Sequence, residues 1–121
     1  MAKDMTKNEL KEYLKDFRKI QAQKQYYDYI LENDEYSTNY ASDFKLFECV
    51  KLSLTILDEK EYFIIYHHLI LHYTWREISI KMIQNFGLDS CRTDRTLKRI
   101  QNLALEKLLI FINGFTVIKH R

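Results

Sequence analysis

The chain reads as an all-α domain of about five helices. Three observations predict this. There is no proline and there are only two glycines in 121 residues, which leaves few places for a tight turn. Three segments, Thr6–Glu9, Asp58–Glu61 and Thr74–Glu77, set a capping side chain three residues before a glutamate. That spacing lets side chain and backbone satisfy two orphan amides at a helix start. Each of these motifs also adjoins a run in which apolar residues recur at helical spacing.

The elements follow in order. A first helix is expected from about Lys7 to Leu31, with Leu10, Tyr13, Leu14, Phe17, Ile20, Tyr27 and Leu31 along one stripe. The stripe weakens at QAQKQ, which argues against a coiled coil. Residues 33–42 (NDEYSTNYAS) are polar and read as a loop. A second helix, about Asp43 to Leu57, turns Phe44, Phe47, Leu54 and Leu57 inward. A third, about Asp58 to His72, is apolar nearly all round, so deep burial is expected.

The stretch TWREISIKMIQNFGLDSCRTDRTLKRI comes next. Thr74 caps a helix whose Trp75, Ile78, Met82 and Phe86 share a face. Gly87 stops it, because glycine takes the left-handed conformation that ends helices at little steric cost. Ser90 is read as the cap of the last helix, which runs from Cys91 to about Ile112. Gly114 is read as its terminator, with GFTVIKHR as a short extended tail. The domain reading is thus one unit, 1–121: an N-terminal helix and polar loop (1–42), then a helical core (43–113) with a helix-turn-helix at 74–112.

Composition bounds the function. Hydrophobic residues at 46% and charged residues at 30% fit a globular domain. Cys49 and Cys91 match no zinc or redox spacing and read as reduced thiols in a cytoplasmic protein. No apolar run approaches the ~20 residues that span a bilayer, and MAKDMTKNELKEYLKDF carries no signal-like apolar stretch. No membrane partner is expected.

Net charge is only +2, yet the charge is unevenly spread. Residues 1–24 hold seven basic and four acidic side chains, 28–48 hold six acidic and one basic, and 92–99 hold four basic and one acidic. On a wheel of about 100° per residue, Leu97, Ile100, Ala104, Leu108 and Phe111 form one stripe and Arg92, Arg95, Thr96 and Arg99 another. A helix whose N-terminal half shows basic groups to solvent while its apolar stripe docks on the preceding helix is built as a recognition helix is. Arginine's planar fork pairs with guanine or phosphate. Arg76 and the free amides after Thr74 suit the DNA backbone. The plain alternative is a solvated basic helix face.

The order of elements resembles the fourth region of bacterial primary sigma factors. There, an apolar helix precedes a Thr-x-x-Glu-Ile helix start, a turn, and a helix opening with Ser-x-x-Thr and arginines. The matching segments here are LTILDEKEYFIIYHHLILHY, TWREIS, FGLDS and SCRTDRTLKRIQNLALEKL. Among small proteins the chain is similar to phage late transcription regulators of the ArpU, RinA and LtrC type. The likeness covers the C-terminal half. Ser79 stands where such modules usually hold alanine, and the stretch from Ser79 to Gly87 is longer by about one helical turn. The resemblance implies sequence-specific binding of double-stranded DNA at a promoter in a bacterial host, activation of late genes of a phage or mobile element, and contact with RNA polymerase. The candidate DNA-binding residues are Thr74, Arg76, Ser90, Arg92, Thr93, Arg95, Thr96, Lys98 and Arg99. A homodimer is expected, because two half-sites add affinity that one small basic module lacks.

Other chemistries find less support. His68 and His72 are four apart, but HHLILH contains no glutamate of the HExxH kind and no further ligand is evident. No metal or cofactor is expected. The nine tyrosines and seven phenylalanines read as packing, not as a base-stacking platform. No phosphate loop or nucleophile elbow is present, so the chain does not read as an enzyme. The alternative functions are a module that binds RNA polymerase or another regulator through its acidic middle, and a ring-forming packaging protein like a small terminase subunit.

Overall fold

The computed structural model describes residues 4–33, 44–90 and 92–119. Among them are six helices and no strand. The expected loop at 33–42, the start of the second helix at Asp43, the thiol of Cys91 and the last two residues lie outside the described chain, save Asn33.

Helix α1 spans Lys7–Lys15 and opens on the predicted capping box, with Thr6 and Glu9 exchanging bonds. The single long first helix is corrected here. It breaks at Asp16 (φ −97°, ψ 5°), and α2 follows from Phe17 to Asn33. Neither glycine nor proline marks the break, so no sequence signal announced it. Its effect is to seat Phe17 on Phe47, with ring centroids 5.0 Å apart and planes 25° apart. The Lys15 carbonyl that the break releases is satisfied from a distance, by the His72 Nε2–H at 2.8 Å.

Helix α3 covers Lys45–Ser53 and tightens into a 3-10 turn at Leu54–Ile56. Phe44, Phe47 and Leu54 turn inward as the periodicity requires, joined by Val50. Lys24 of α2 ties the two helices together, reaching Asp28 on its own helix and Glu48 on α3, each at 3.1 Å.

Helix α4, Glu59–Ile64, opens on the second capping box, Asp58 with Glu61. It then widens into π turns over Ile65–Ile70, where the Leu71 amide reaches back to Tyr66. Burial here is less complete than expected. Ile64, Ile65, Leu69 and Ile70 are buried, whereas Tyr62 is exposed and both His67 and His68 are half-buried. Helix α5, Trp75–Phe86, opens on the third capping box, Thr74 with Glu77.

Helix α6 runs from Asp94 to Lys119, which corrects three expectations. It starts three residues after Cys91. Gly114 lies inside it and terminates nothing. The expected extended tail is helical over 114–119. Glycine costs a helix interior only about 1 kcal/mol, so one glycine does not oblige a stop.

Two apolar clusters meet on α6. The larger joins Leu10, Leu14, Phe47, Val50, Ile65 and Leu69 to Ala104, Leu105, Leu108 and Ile112. The smaller joins Ile64, Ile78, Met82 and Leu97. Helix α6 thus serves both, with its first turns on α5 and its later turns on α1 and α3. Leu105 and Leu109, unplaced by the apolar stripe, join the larger cluster, while Leu103 stays 51% exposed. Among the described residues no helix is long and apolar enough to cross a membrane.

Candidate nucleic-acid interface

The basic stripe sits on the α5–turn–α6 unit, and the local bonding of that unit decides which side chains reach solvent. Thr74 accepts from the Glu77 amide at 3.2 Å, and the Thr74 amide donates to Glu77 Oε1 at 2.9 Å. The Thr74 amide, and after it the Thr74 hydroxyl, hold the Glu77 carboxyl below its usual range. Arg76 follows in the first turn and is exposed.

Helix α5 is pinned by Ile78 and Met82, which are buried against Ile64 and Leu97, with Trp75, Phe86 and Ile100 packed on the same cluster. It ends at Gly87, whose amide donates to Ile83 at 2.8 Å. The expected positive φ is present, at 92°, but ψ is 171°. This is an extended mirror conformation reserved almost wholly to glycine, not the left-handed helical one.

The turn continues through a 3-10 segment, Leu88–Ser90. Ser90 is only 2% exposed, and its hydroxyl donates back to the Phe86 carbonyl at 3.4 Å. It therefore neither caps α6 nor faces solvent, which corrects both its cap and its DNA-binding assignments. The cap is Thr93. Its Oγ1 accepts from the Thr96 amide at 3.2 Å and donates to Thr96 Oγ1 at 3.1 Å, and its carbonyl accepts from Leu97 at 3.0 Å.

Arg92 consequently precedes the helix, and its guanidinium donates to the Asp89 carbonyl. The Ser79 hydroxyl reaches the Arg92 carbonyl at 3.5 Å, fixing this corner of the turn against α5. Ser79 and Arg76 are three residues apart, hence on one side of α5.

Of the nine predicted residues, Thr74, Arg76, Arg92, Thr93, Arg95, Lys98 and Arg99 are exposed and Thr96 is half-buried. Arg95 and Arg99 lie one helical turn apart, opposite buried Leu97, Ala104 and Leu108. Among the described residues Arg76, Arg95, Lys98 and Arg99 take part in no ion pair. Asp94 is the acid of the first turn of α6.

Sequence reasoning missed what holds this unit to the rest of the fold. The His68 ring stacks on Trp75, and its Nδ1 lies 2.6 Å from Gln101 Oε1, deep in α6. Gln101 is buried. No sequence signal marked this pair, since Trp75 lies seven residues after His68. His67 donates from Nδ1 to the Phe63 carbonyl at 2.8 Å, inside an aromatic ring of Phe63, Tyr66 and Tyr73. His67, His68 and His72 thus each have a protein partner, and among the described residues no three potential metal ligands converge.

A concavity of about 700 Å³ opens between α2, α3 and α4. Phe17, Leu54, Tyr62, Tyr66 and Ile70 line it, with Arg18, Lys51, Asp58 and Glu59 among the other lining residues.

Compared with protein-family models, curated proteins and solved structures, the chain matches none.

Proposed function

We propose that the chain is a sequence-specific DNA-binding transcription regulator, an activator of late genes in a phage or mobile element. The first half of α6 enters the major groove, with Arg95 and Arg99 toward base edges. Arg92, Thr93 and Lys98 flank it, and the start of α5, with Arg76, meets the sugar–phosphate backbone. It acts as a homodimer on paired half-sites and contacts RNA polymerase at the promoter. It performs no catalysis.

One observation carries this reading. Arg95 and Arg99 point away from the core on a helix whose opposite side is fully buried, and no carboxylate among the described residues pairs with either. Unpaired guanidinium groups on a rigid helix suit a polyanion, because each planar fork makes several hydrogen bonds for the rotamer freedom it gives up. The sigma-like order of TWREIS, FGLDS and SCRTDRTLKRI supports the same reading.

The test is fluorescence anisotropy on promoter fragments of the chain's own genome, located by footprinting. Arg95→Gln with Arg99→Gln should abolish specific binding while circular dichroism stays unchanged. Binding that survives both changes overturns the proposal.

A further inference from the structure

Helix α1 carries Lys7, Lys11 and Lys15 at four-residue intervals, so all three lie on one side of the helix. Its packing determines where that side faces. The Met5 amide donates to Asn113 Oδ1 at 2.9 Å, and Lys7 reaches Glu106 at 3.2 Å. At the other end the Lys15 carbonyl accepts from His72. Helix α1 therefore runs antiparallel to α6, and its lysine row climbs from the level of Glu106 toward the N-terminal half of α6.

Only the first lysine of the row meets an acid on α6. Carried on from the Lys7–Glu106 pair, the antiparallel register sets Lys15 level with Lys98, each eight residues along its helix, with Lys11 between. Burial first, and then these three ammonium groups, hold the His68 ring below the usual histidine range against the opposing Gln101 bond. Lys15 has a partner in Glu12 at 3.0 Å, an exposed pair one turn back on its own helix. Such pairs contribute at most about 1 kcal/mol. On the α6 wheel Lys98 falls about 60° from Arg95, so it bridges the arginine face and the lysine row.

Like charges gathered from two helices repel. A fold that holds them together presents a surface for a partner with regularly spaced negative charge.

We propose that α1 is a second phosphate-contacting element: Lys11 and Lys15, set beside Lys98 by the antiparallel packing of α1 on α6, hold the backbone of the DNA strand flanking the groove that α6 enters. This rests on the DNA-binding reading above and gives the N-terminal helix a role in it. The contacts are to phosphates, so they add affinity without sequence preference.

The full-length chain is titrated with a mixed-sequence 30-base-pair duplex at several salt concentrations. Each phosphate contact contributes roughly 0.9 to the slope of log K against log salt. Lys11→Gln with Lys15→Gln should make the slope shallower by about 1.8 and weaken binding about 10- to 30-fold near 0.15 M salt. Lys11→Arg with Lys15→Arg should keep the slope. Lys15→Gln alone should remove about 0.9 of it. Circular dichroism on each variant reports whether the helices are intact.

An unchanged slope in the glutamine variant, with binding lost in Arg95→Gln/Arg99→Gln, overturns the role of α1 and leaves the helix-turn-helix standing. A chain that binds no duplex overturns both.

Discussion

The imidazole of His68 lies flat on the indole of Trp75, with ring centroids 3.7 Å apart and planes 27° apart. This contact joins the end of the π turns to the first residue of α5. The same imidazole is bonded to Gln101, so one side chain fixes the start of α5 relative to the middle of α6. The orientation of any groove-reading helix depends on that triangle.

Trp75→Ala should therefore cost about 3 kcal/mol, within the range for large aromatic truncations. Urea unfolding followed by circular dichroism measures it, since Trp75 is the only tryptophan. A loss below about 1 kcal/mol would show that the stack holds nothing in place.

The same histidine sets a pH dependence. Burial, the largest cause, lowers its pKa in the folded state. The unfolded chain then binds more protons at His68 than the folded chain does, so stability falls as pH drops below about 6.5 and is regained above it. Melting temperature measured from pH 8 to pH 5.5 should decline through that window, and His68→Asn should flatten the decline. A parallel decline in the variant would assign it to other groups.

At Gly87 a Cβ would meet nothing within 4 Å, so the cost of Gly87→Ala is one of backbone conformation alone. A φ of 92° with ψ of 171° belongs to the region that costs other residues about 1–3 kcal/mol. Chemical denaturation should show a loss in that range. A neutral substitution would mean the turn relaxes into another shape.

Thr93→Ala removes the cap of α6 and should cost about 1 kcal/mol. Hydrogen exchange at the Thr96 amide, which donates to Thr93 Oγ1, should accelerate. Ser90→Ala should leave that amide protected, because Thr93 and not Ser90 accepts from it. Equal acceleration in both variants would return the cap to Ser90.

Arg76 offers a check on the docking side. It shares a side of α5 with Ser79, which touches the Arg92 carbonyl. Arg76→Gln should weaken binding to all duplexes alike and reduce the salt slope by roughly 0.9, as a lost phosphate contact does. A change confined to one sequence would make Arg76 a base reader.

What could be read in the sequence was what local chemistry determines. The three capping boxes form as spaced, because each depends only on a hydroxyl or carboxylate and a glutamate three residues on. The apolar stripes of α5 and α6 were legible for the same reason: Ile78, Met82, Leu97, Ala104 and Leu108 are buried. Departures arose where a distant group intervened. The break at Asp16 is completed by His72, fifty-seven residues after Lys15. The cap moved from Ser90 to Thr93 because the 3-10 turn at Leu88–Ser90 delays the start of α6 to Asp94. Gly114 continues the helix because one glycine costs a helix interior only about 1 kcal/mol. Within the candidate interface, the arginines followed from periodicity, whereas the lysine row of α1 gained a direction only from its packing on α6.

The wide turns at Ile65–Ile70 have a consequence for how this chain tolerates insertions and deletions. Ile64 belongs to one apolar cluster and its neighbour Ile65 to the other. The π geometry absorbs a residue more than an α-helix would hold over the same span. Removing one residue there would reset the rotational phase of everything downstream, turning Leu69 and Ile70 off the larger cluster that both serve and Trp75 away from His68. That short stretch is where a shift in chain length would be felt across both clusters.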